Sequence, residues 1–450
     1  MTENANIGAA ELTVDGTTLE LPRHKASIGM DGFRIDKMLS STGTVTLDPG
    51  FTNTASCESE ITYIDGDVGI LRYRGYPIEQ LAANCSFLEV AYLLIYGELP
   101  DPEALALFTR RIKRHTLLHE DFKAFFTAFP AGGHPMSILQ SGVAGLATYY
   151  DHTIDPKDPA QLDLATTLLL AKVPTMIAYI AKRATGLPLL YPDASRSFTE
   201  DFIRMTFGLP YQMQEIDPTI VNALDKLFIL HADHEQNCST STVRLVGSSE
   251  ANIYAAVSSG VGALSGPLHG GANESVLNMF TQIRDSGVPV KTFVQQVKDK
   301  QNNVKLMGFG HRVYKNFDPR AKVVKGLADD ILDRLGGDNQ LFDMAKELEA
   351  AALSDDYFVS RKLYPNVDFY TGLIYSAMGF PTQMFTPLFT LGRLPGWIAQ
   401  YRELVADPAQ KIGRPRQVYT GHVERQWVPR QQREKQSMVD ISFDLDNKRL

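Results

Sequence analysis

The chain has 450 residues, 44% hydrophobic and 21% charged, with a formal net charge of −8. That length suggests two or three domains around a core large enough to need no covalent staples. The acidic balance excludes a general nucleic-acid binder but leaves room for a local Arg/His cluster that holds a small anion.

Cys57, Cys85 and Cys238 are the only cysteines. They are odd in number and lack C-x-x-C spacing, so a disulfide framework or zinc ribbon is not expected, and reduced thiols in a cytosol fit best. Met1–Ala10 has no apolar h-region, so no secretory signal is read there. A cytoplasmic location is therefore expected, and the Asn-x-Ser matches at Asn84, Asn237 and Asn273 read as chance. Leu162–Ala181 is the most apolar stretch, but Asp163, Lys172 and Pro174 interrupt it. A buried helix pair is expected rather than a membrane span.

In chain order, Leu12, Val14, Leu19 and Leu21 alternate around Asp15-Gly16 and predict a hairpin. Ile61–Ile64 and Val68–Tyr73, joined by Asp65-Gly66-Asp67, predict a second. The pattern turns helical after Pro77. Ser86 and Glu89 have capping-box spacing, Gly97 suits a helix stop, and Asp101-Pro102 opens the next helix. Further helices are expected at Met136–Tyr150, Leu162–Ala184, Thr219–Asp233, Ala251–Leu264, Val276–Ser286, Pro319–Leu335, Leu341–Leu353, Phe369–Met378 and Leu391–Val405. No repeat is visible.

Four stretches carry chemistry. His231 and His234 continue the buried face of the helix before them; they read as core histidines or as metal ligands. His269 follows Gly266-Pro267 and precedes a helix that Asn273 can cap. The positive end of that helix would keep the imidazole neutral. Gly308-Phe309-Gly310-His311 allows close backbone approach, and Arg320 falls in the first turn of a helix opened by Asp318-Pro319. Pro365 disfavours helix at Tyr364, so a helix starts near Asp368, whose carboxylate would be ionised by the dipole. No P-loop and no strand-linked G-x-G-x-x-G occurs.

Together and in this order, these stretches resemble the citrate synthase family. Leu268-His269-Gly270-Gly271-Ala272-Asn273, Gly308-Phe309-Gly310-His311-Arg312-Val313-Tyr314 and Asn366-Val367-Asp368 match its catalytic stretches. The similarity runs from about Leu12 to Val423 and is nearest the bacterial hexameric (type II) kind. It implies a mainly α, two-domain helical fold with a small β-rich N-terminal segment. The implied divisions are 1–75, then 76–276 with 384–450 as the large domain, and 277–383 as the small one.

The resemblance also implies an activity: acetyl-CoA condenses with oxaloacetate, and the thioester is hydrolysed to citrate and CoA. Asp368 would be the base, His269 would bind the thioester oxygen, and His311 would polarise the keto carbonyl. Arg320, Arg393 and Arg414 would hold the oxaloacetate carboxylates with His234, Arg414 coming from a neighbouring subunit. Arg suits this because its planar fork matches a carboxylate. Gly308, Lys315 and Asn366 would serve CoA. No permanent cofactor, metal, membrane or nucleic acid is implied, and a homodimer building to a hexamer is.

A possible NADH site is implied at Arg114, His115, Thr116, Tyr150 and Lys172. Leu168 replaces the family's Arg there, so weak inhibition is expected. The alternatives are 2-methylcitrate synthase using propionyl-CoA, a metal hydrolase on His231, Asp233 and His234, and a non-catalytic homologue.

Overall fold

The structure is a computed structural model that describes residues 8–212, 215–299, 304–335 and 339–433. Contacts divide the chain into two units, one from Met1–Ala26, Met30–Thr54 and Arg414–Leu450, the other from Ser27–Gly29 and Ala55–Gly413. The protein is mostly helical, with a small N-terminal β segment.

In the smaller unit, strands Ala9–Val14 and Thr17–His24 pair antiparallel, with Leu12 opposite Leu19. Asp15 (φ 48°) and Gly16 (φ 81°) close the hairpin. Two left-handed residues give a turn whose twist matches the strands. A two-residue strand, Gly32–Phe33, completes the sheet, and a short helix follows at Met38–Thr42.

The larger unit opens with a second antiparallel sheet, Thr62–Asp65, Ile70–Tyr73 and Tyr76–Pro77. The first two capping expectations hold. Ser86 and Glu89 exchange side-chain and backbone bonds at the start of Phe87–Tyr96, which Gly97 ends in the left-handed region. Asp101 caps Pro102–Arg114 with Pro102 in the first turn.

Two nearly encased helices form the centre, and both differ from expectation. The predicted pair across Leu162–Ala181 is one continuous helix, Pro159–Ala184, with Pro174 inside it. Proline removes one helical hydrogen bond, but packing on every side outweighs that loss. The helix is apolar and long enough to span a membrane, yet 89% of its most apolar window is buried within the protein. The second, Phe385–Ala406, starts six residues before the predicted Leu391 and contains Pro395.

Phe122–Thr127, Phe198–Phe207, Cys238–Gly247, Val290–Lys298 and Asp356–Ser360 are helices that the periodicity did not predict. Cys238–Gly247 has a Ser/Thr-rich sequence of poor propensity. It stands because Asn237 caps it, accepting from the Thr240 N–H, and because its inner face is buried. Asn237 was read as a chance glycosylation match; its work is this cap.

Candidate active site

Three turns and three helices of the larger unit carry the predicted histidines, Arg320, Asp368 and Arg393. The helix Pro218–His231 ends one residue before Ala232, so His234 lies beyond it rather than on its face. Tyr73 holds this turn: its hydroxyl shares its one proton between the carbonyls of Ile229 and Asp233, at 3.2 and 3.0 Å, and accepts the Asp233 N–H. His231 donates from Nδ1 to the Leu227 carbonyl, and its own carbonyl accepts from Arg393 Nε at 2.6 Å. Arg393 reaches this position because its helix has glycine on either side of it. A Cβ on Gly392 would meet His231 Cβ at 3.0 Å, and one on Gly396 would meet the Ala232 carbonyl at 2.2 Å.

Arg393 is 1% exposed, and its Nη1 has no partner among the described residues. Burial, chiefly, brings its pKa down to about 10. A buried guanidinium with an unpaired N–H is poised for an anion, since an unmade buried bond is costly.

Arg320 sits in the first turn of Pro319–Leu335, as expected. Its Nε and Nη2 donate to Asp318 at 3.0 and 2.9 Å. Burial opposes both charges, yet their mutual attraction leaves Asp318 below and Arg320 above their ordinary values. Asp318 also accepts the Val367 N–H, tying Arg320 to the turn before Asp368.

The His311 and His234 rings have centroids 5.3 Å apart, with Tyr314 beside both; its hydroxyl lies 3.2 Å from His234 Nε2. His311 Nδ1 accepts the N–H groups of Val313 and Tyr314 at 3.0 and 3.2 Å. A backbone N–H can only donate, so the neutral ring carries its proton on Nε2. Burial first, then Arg320, pushes this imidazole down to about 4. His234 is driven well below its usual range by the same two causes in the same order.

His269 Nε2 accepts from the Ser239 N–H at 3.3 Å and lies 2.8 Å from the Ser239 hydroxyl. By the same logic its proton is on Nδ1. Burial first and then Arg393 push it down to about 4. The helix end that reaches this ring is that of Cys238–Gly247, not the one following His269. Trp397 Nε1 donates to the Ser239 hydroxyl at 3.1 Å, which fixes the arrangement from behind. Ser239 was missed in the sequence because its helix was missed.

Two expectations are corrected here. Asn273 does not cap a helix: Ala272–Ser286 begins ahead of it with Gly271 at the cap. The Gly270 N–H turns back onto the Leu264 carbonyl, which starts the helix early. Asn273 is then a buried second residue whose side-chain atoms lack partners among those described. Asp368 opens Asp368–Ala377 as predicted, but burial outweighs the dipole and raises its pKa to about 6. Arg320 and Arg393 both pull that value down, which locates the carboxylate in their field.

Asn366 joins the Gly308–His311 turn to the turn before Asp368. Its side chain donates to the Gly310 carbonyl and its N–H to the Gly308 carbonyl. Gly308 is buried, with φ 78°, and a Cβ there would press on Val276 and Phe369 at 2.9 and 3.0 Å. Lys315 is exposed beside His311, its amine reaching the Arg312 carbonyl. Arg414 belongs to the smaller unit, where it is exposed.

The residues named for NADH form a separate cluster. Lys172 is 2% exposed, donates to the carbonyls of His115 and Leu117 at 2.8 Å each, and lies 4.9 Å over the Tyr150 ring. Burial brings it down to about 8. His115 Nδ1 bonds the Arg111 carbonyl and Thr116 Oγ1 the Lys113 carbonyl. Among the described residues no three His, Cys, Asp or Glu side chains converge as a metal site. The three free cysteines are not paired.

A carboxylate of raised pKa, neutral imidazoles with fixed protons and a buried guanidinium with one unpaired nitrogen can take a proton from carbon and hold the oxyanion that results. That is the chemistry of a helical enzyme that condenses two carbon compounds.

The comparisons narrow the class. Residues 50–416 match the family model described as citrate synthase, C-terminal domain. The chain is 60% identical over 419 residues to citrate synthase 1 of Mycobacterium tuberculosis, covering 93% of this chain and 97% of the relative. It is 57% identical over 425 residues to citrate synthase of Corynebacterium glutamicum, covering 94% and 97%. Citrate synthase from Pyrobaculum aerophilum superposes with a TM-score of 0.77 at 33% identity, over 96% of this chain and 100% of that one. A ternary complex of the Thermoplasma acidophilum citrate synthase with carboxymethyl coenzyme A and oxaloacetate gives 0.79 at 28%, over 87% and 100%.

The chain belongs to the citrate synthase family. It is an enzyme that condenses acetyl-CoA with oxaloacetate and releases citrate and CoA; the propionyl-CoA alternative is not favoured.

Proposed function

We propose that Asp368 removes a methyl proton from acetyl-CoA while His269 donates from Nδ1 to the thioester oxygen. The Ser239 N–H on the opposite ring nitrogen carries this reading, because it fixes which edge of His269 can donate. His311, protonated on Nε2, donates to the keto oxygen of oxaloacetate, so charge developing there meets an aligned hydrogen bond. His234, Arg320 and Arg393 hold the substrate's carboxylates. Arg414 completes the set from a neighbouring subunit of a homodimer, and three dimers form a hexamer. Gly308, Asn366 and Lys315 serve CoA, Lys315 through its exposed amine. No permanent cofactor takes part. A thiol-release assay with acetyl-CoA, with and without oxaloacetate, tests the reading. Release that does not depend on oxaloacetate, or that survives loss of His269, counts against it.

Residues 277–383 form the small helical domain and 76–276 with 384–450 the large one, after a β-rich segment over 1–75. Packing of Pro319–Leu335 against Asp368–Ala377 favours that grouping. The enzyme works in the cytoplasm at entry to the tricarboxylic acid cycle. NADH is a weak effector at most: the Lys172 amine is committed to two carbonyls, and Leu168 is 2% exposed.

A further inference from the structure

The hairpin Thr62–Tyr73 touches both turns that carry the substrate histidines. Its tip is rigid: Asp65 Oδ1 accepts the N–H groups of Asp67 and Val68, and the Asp65 carbonyl accepts that of Gly69. On one side the Gly66 carbonyl accepts the Lys315 N–H at 2.7 Å. A Cβ on Gly66 would lie 2.2 Å from the Val313 carbonyl oxygen, and one on Gly69 2.6 Å from that of Phe317. The run from Val313 to Phe317, which begins two residues after His311, therefore lies close against the tip, with no room for a side chain at Gly66 or Gly69.

On the other side Thr62–Asp65 is an edge strand, and the outward N–H of Ile64 needs a partner. Glu235 Oε1 supplies it at 2.9 Å. Glu235 directly follows His234 and holds a left-handed φ of 49°, a strained conformation that persists only where its surroundings enforce it.

We infer that this hairpin is a bracket that sets the spacing of His234 and His311, with Gly66 and Glu235 as positioning residues for oxaloacetate. The inference rests on the assignment of both histidines to that substrate. The hairpin contributes no group to the reaction; it fixes the two turns so that their imidazoles meet the keto acid together. Displacing one of them by about 1 Å costs up to roughly a hundredfold in rate.

Steady-state kinetics and thermal melts on Gly66→Ala, Glu235→Ala and Glu235→Gln in the full-length enzyme test this. Gly132→Ala, at a glycine with open space around it, is the control. We expect Gly66→Ala and Glu235→Ala each to lower kcat/KM for oxaloacetate about 10- to 100-fold. The KM for acetyl-CoA should move less than about threefold. Glu235→Gln keeps an accepting oxygen and should restore oxaloacetate kinetics to within about threefold of wild type. Lower melting temperatures with wild-type kinetics in both variants overturn the bracket, because a merely structural contact would behave so. Should Gly66→Ala fail to fold, the Glu235 pair decides alone: rescue by Gln supports the inference, and an unaffected Ala overturns it. His311→Ala separates the two layers. Wild-type kinetics there overturn the substrate assignment itself; an impaired His311→Ala beside unaffected Gly66→Ala and Glu235→Ala overturns only the bracket.

Discussion

Asp318 binds Arg320 through two hydrogen bonds of 3.0 and 2.9 Å, and the same carboxylate accepts the N–H of Val367, the residue before Asp368. One buried acid thus sets the direction of the arginine proposed to bind oxaloacetate and the start of the helix that carries the proposed base. Its charge also raises the Asp368 pKa. Asp318→Asn should therefore impair oxaloacetate binding and shift the acid limb of the pH–rate profile downward. Breaking a buried pair of this kind costs about 3–5 kcal/mol of stability, which a denaturant melt would register. An unmoved acid limb with an unchanged KM for oxaloacetate argues against this coupling.

Asp368→Ala should reduce kcat by roughly 10²–10⁴, the worth of a positioned general base. Oxaloacetate affinity should change little, and a direct binding titration checks that half of the claim. A variant that keeps most of its turnover removes Asp368 from the role of base.

The same residue links activity to stability. Its folded pKa, about 6, stands above the ordinary 3.8. Folding therefore favours the protonated acid, a contribution complete below pH 3.8 and lost as the pH rises through about 6. Asp368→Asn, a mimic of the neutral acid, should be more stable than wild type at pH 7 by about 1–3 kcal/mol. The difference should shrink toward zero near pH 4. Paired urea melts across that range measure it, and equal stability at pH 7 would refute it.

The pH dependence of turnover follows from the same groups. His269 and His311 are both held near 4 and stay neutral above it. The acid limb of kcat/KM for acetyl-CoA should thus belong to Asp368, with activity rising through pH 6 or above. The shift goes upward because the bound dicarboxylate offsets Arg320 and Arg393, the two charges that hold Asp368 down. A limb near pH 4 is the contrary result.

If Arg414 serves a neighbouring subunit, mixing inactive Arg414→Ala with inactive Asp368→Ala protein should restore part of the activity. One site of each heterodimer then receives both wild-type residues. Absence of recovery after verified subunit exchange would remove the shared-site assignment.

NADH should inhibit weakly at low acetyl-CoA and modest salt. An arginine lost from such a site forfeits about 1.5–3 kcal/mol, or roughly tenfold to a hundredfold in affinity. Strong inhibition at micromolar NADH is the opposing outcome. Leu168→Arg, the substitution that returns that charge, enters a position only 2% exposed. Its effect on NADH must therefore be read beside a melting curve.

What the sequence determined by itself was local. Ser86 with Glu89, Gly97, Asp101-Pro102 and Asp15-Gly16 each carry their conformation in a few neighbouring atoms, and all appear where their patterns predict. The turns and helix starts that hold His269, His311, Arg320 and Asp368 were legible too, because Gly or Pro marks each one. The tertiary structure decided what depends on distant partners. Ser239 acts on His269 from 30 residues away, through a helix whose propensity is poor and whose stability comes from packing. Burial reversed the expected effect of the dipole on Asp368, since desolvation depends on the whole surrounding core rather than on one helix end. The long central helices ran through Pro174 and Pro395 for a related reason. A proline's cost is local, and the enclosure that outweighs it is built by the rest of the chain.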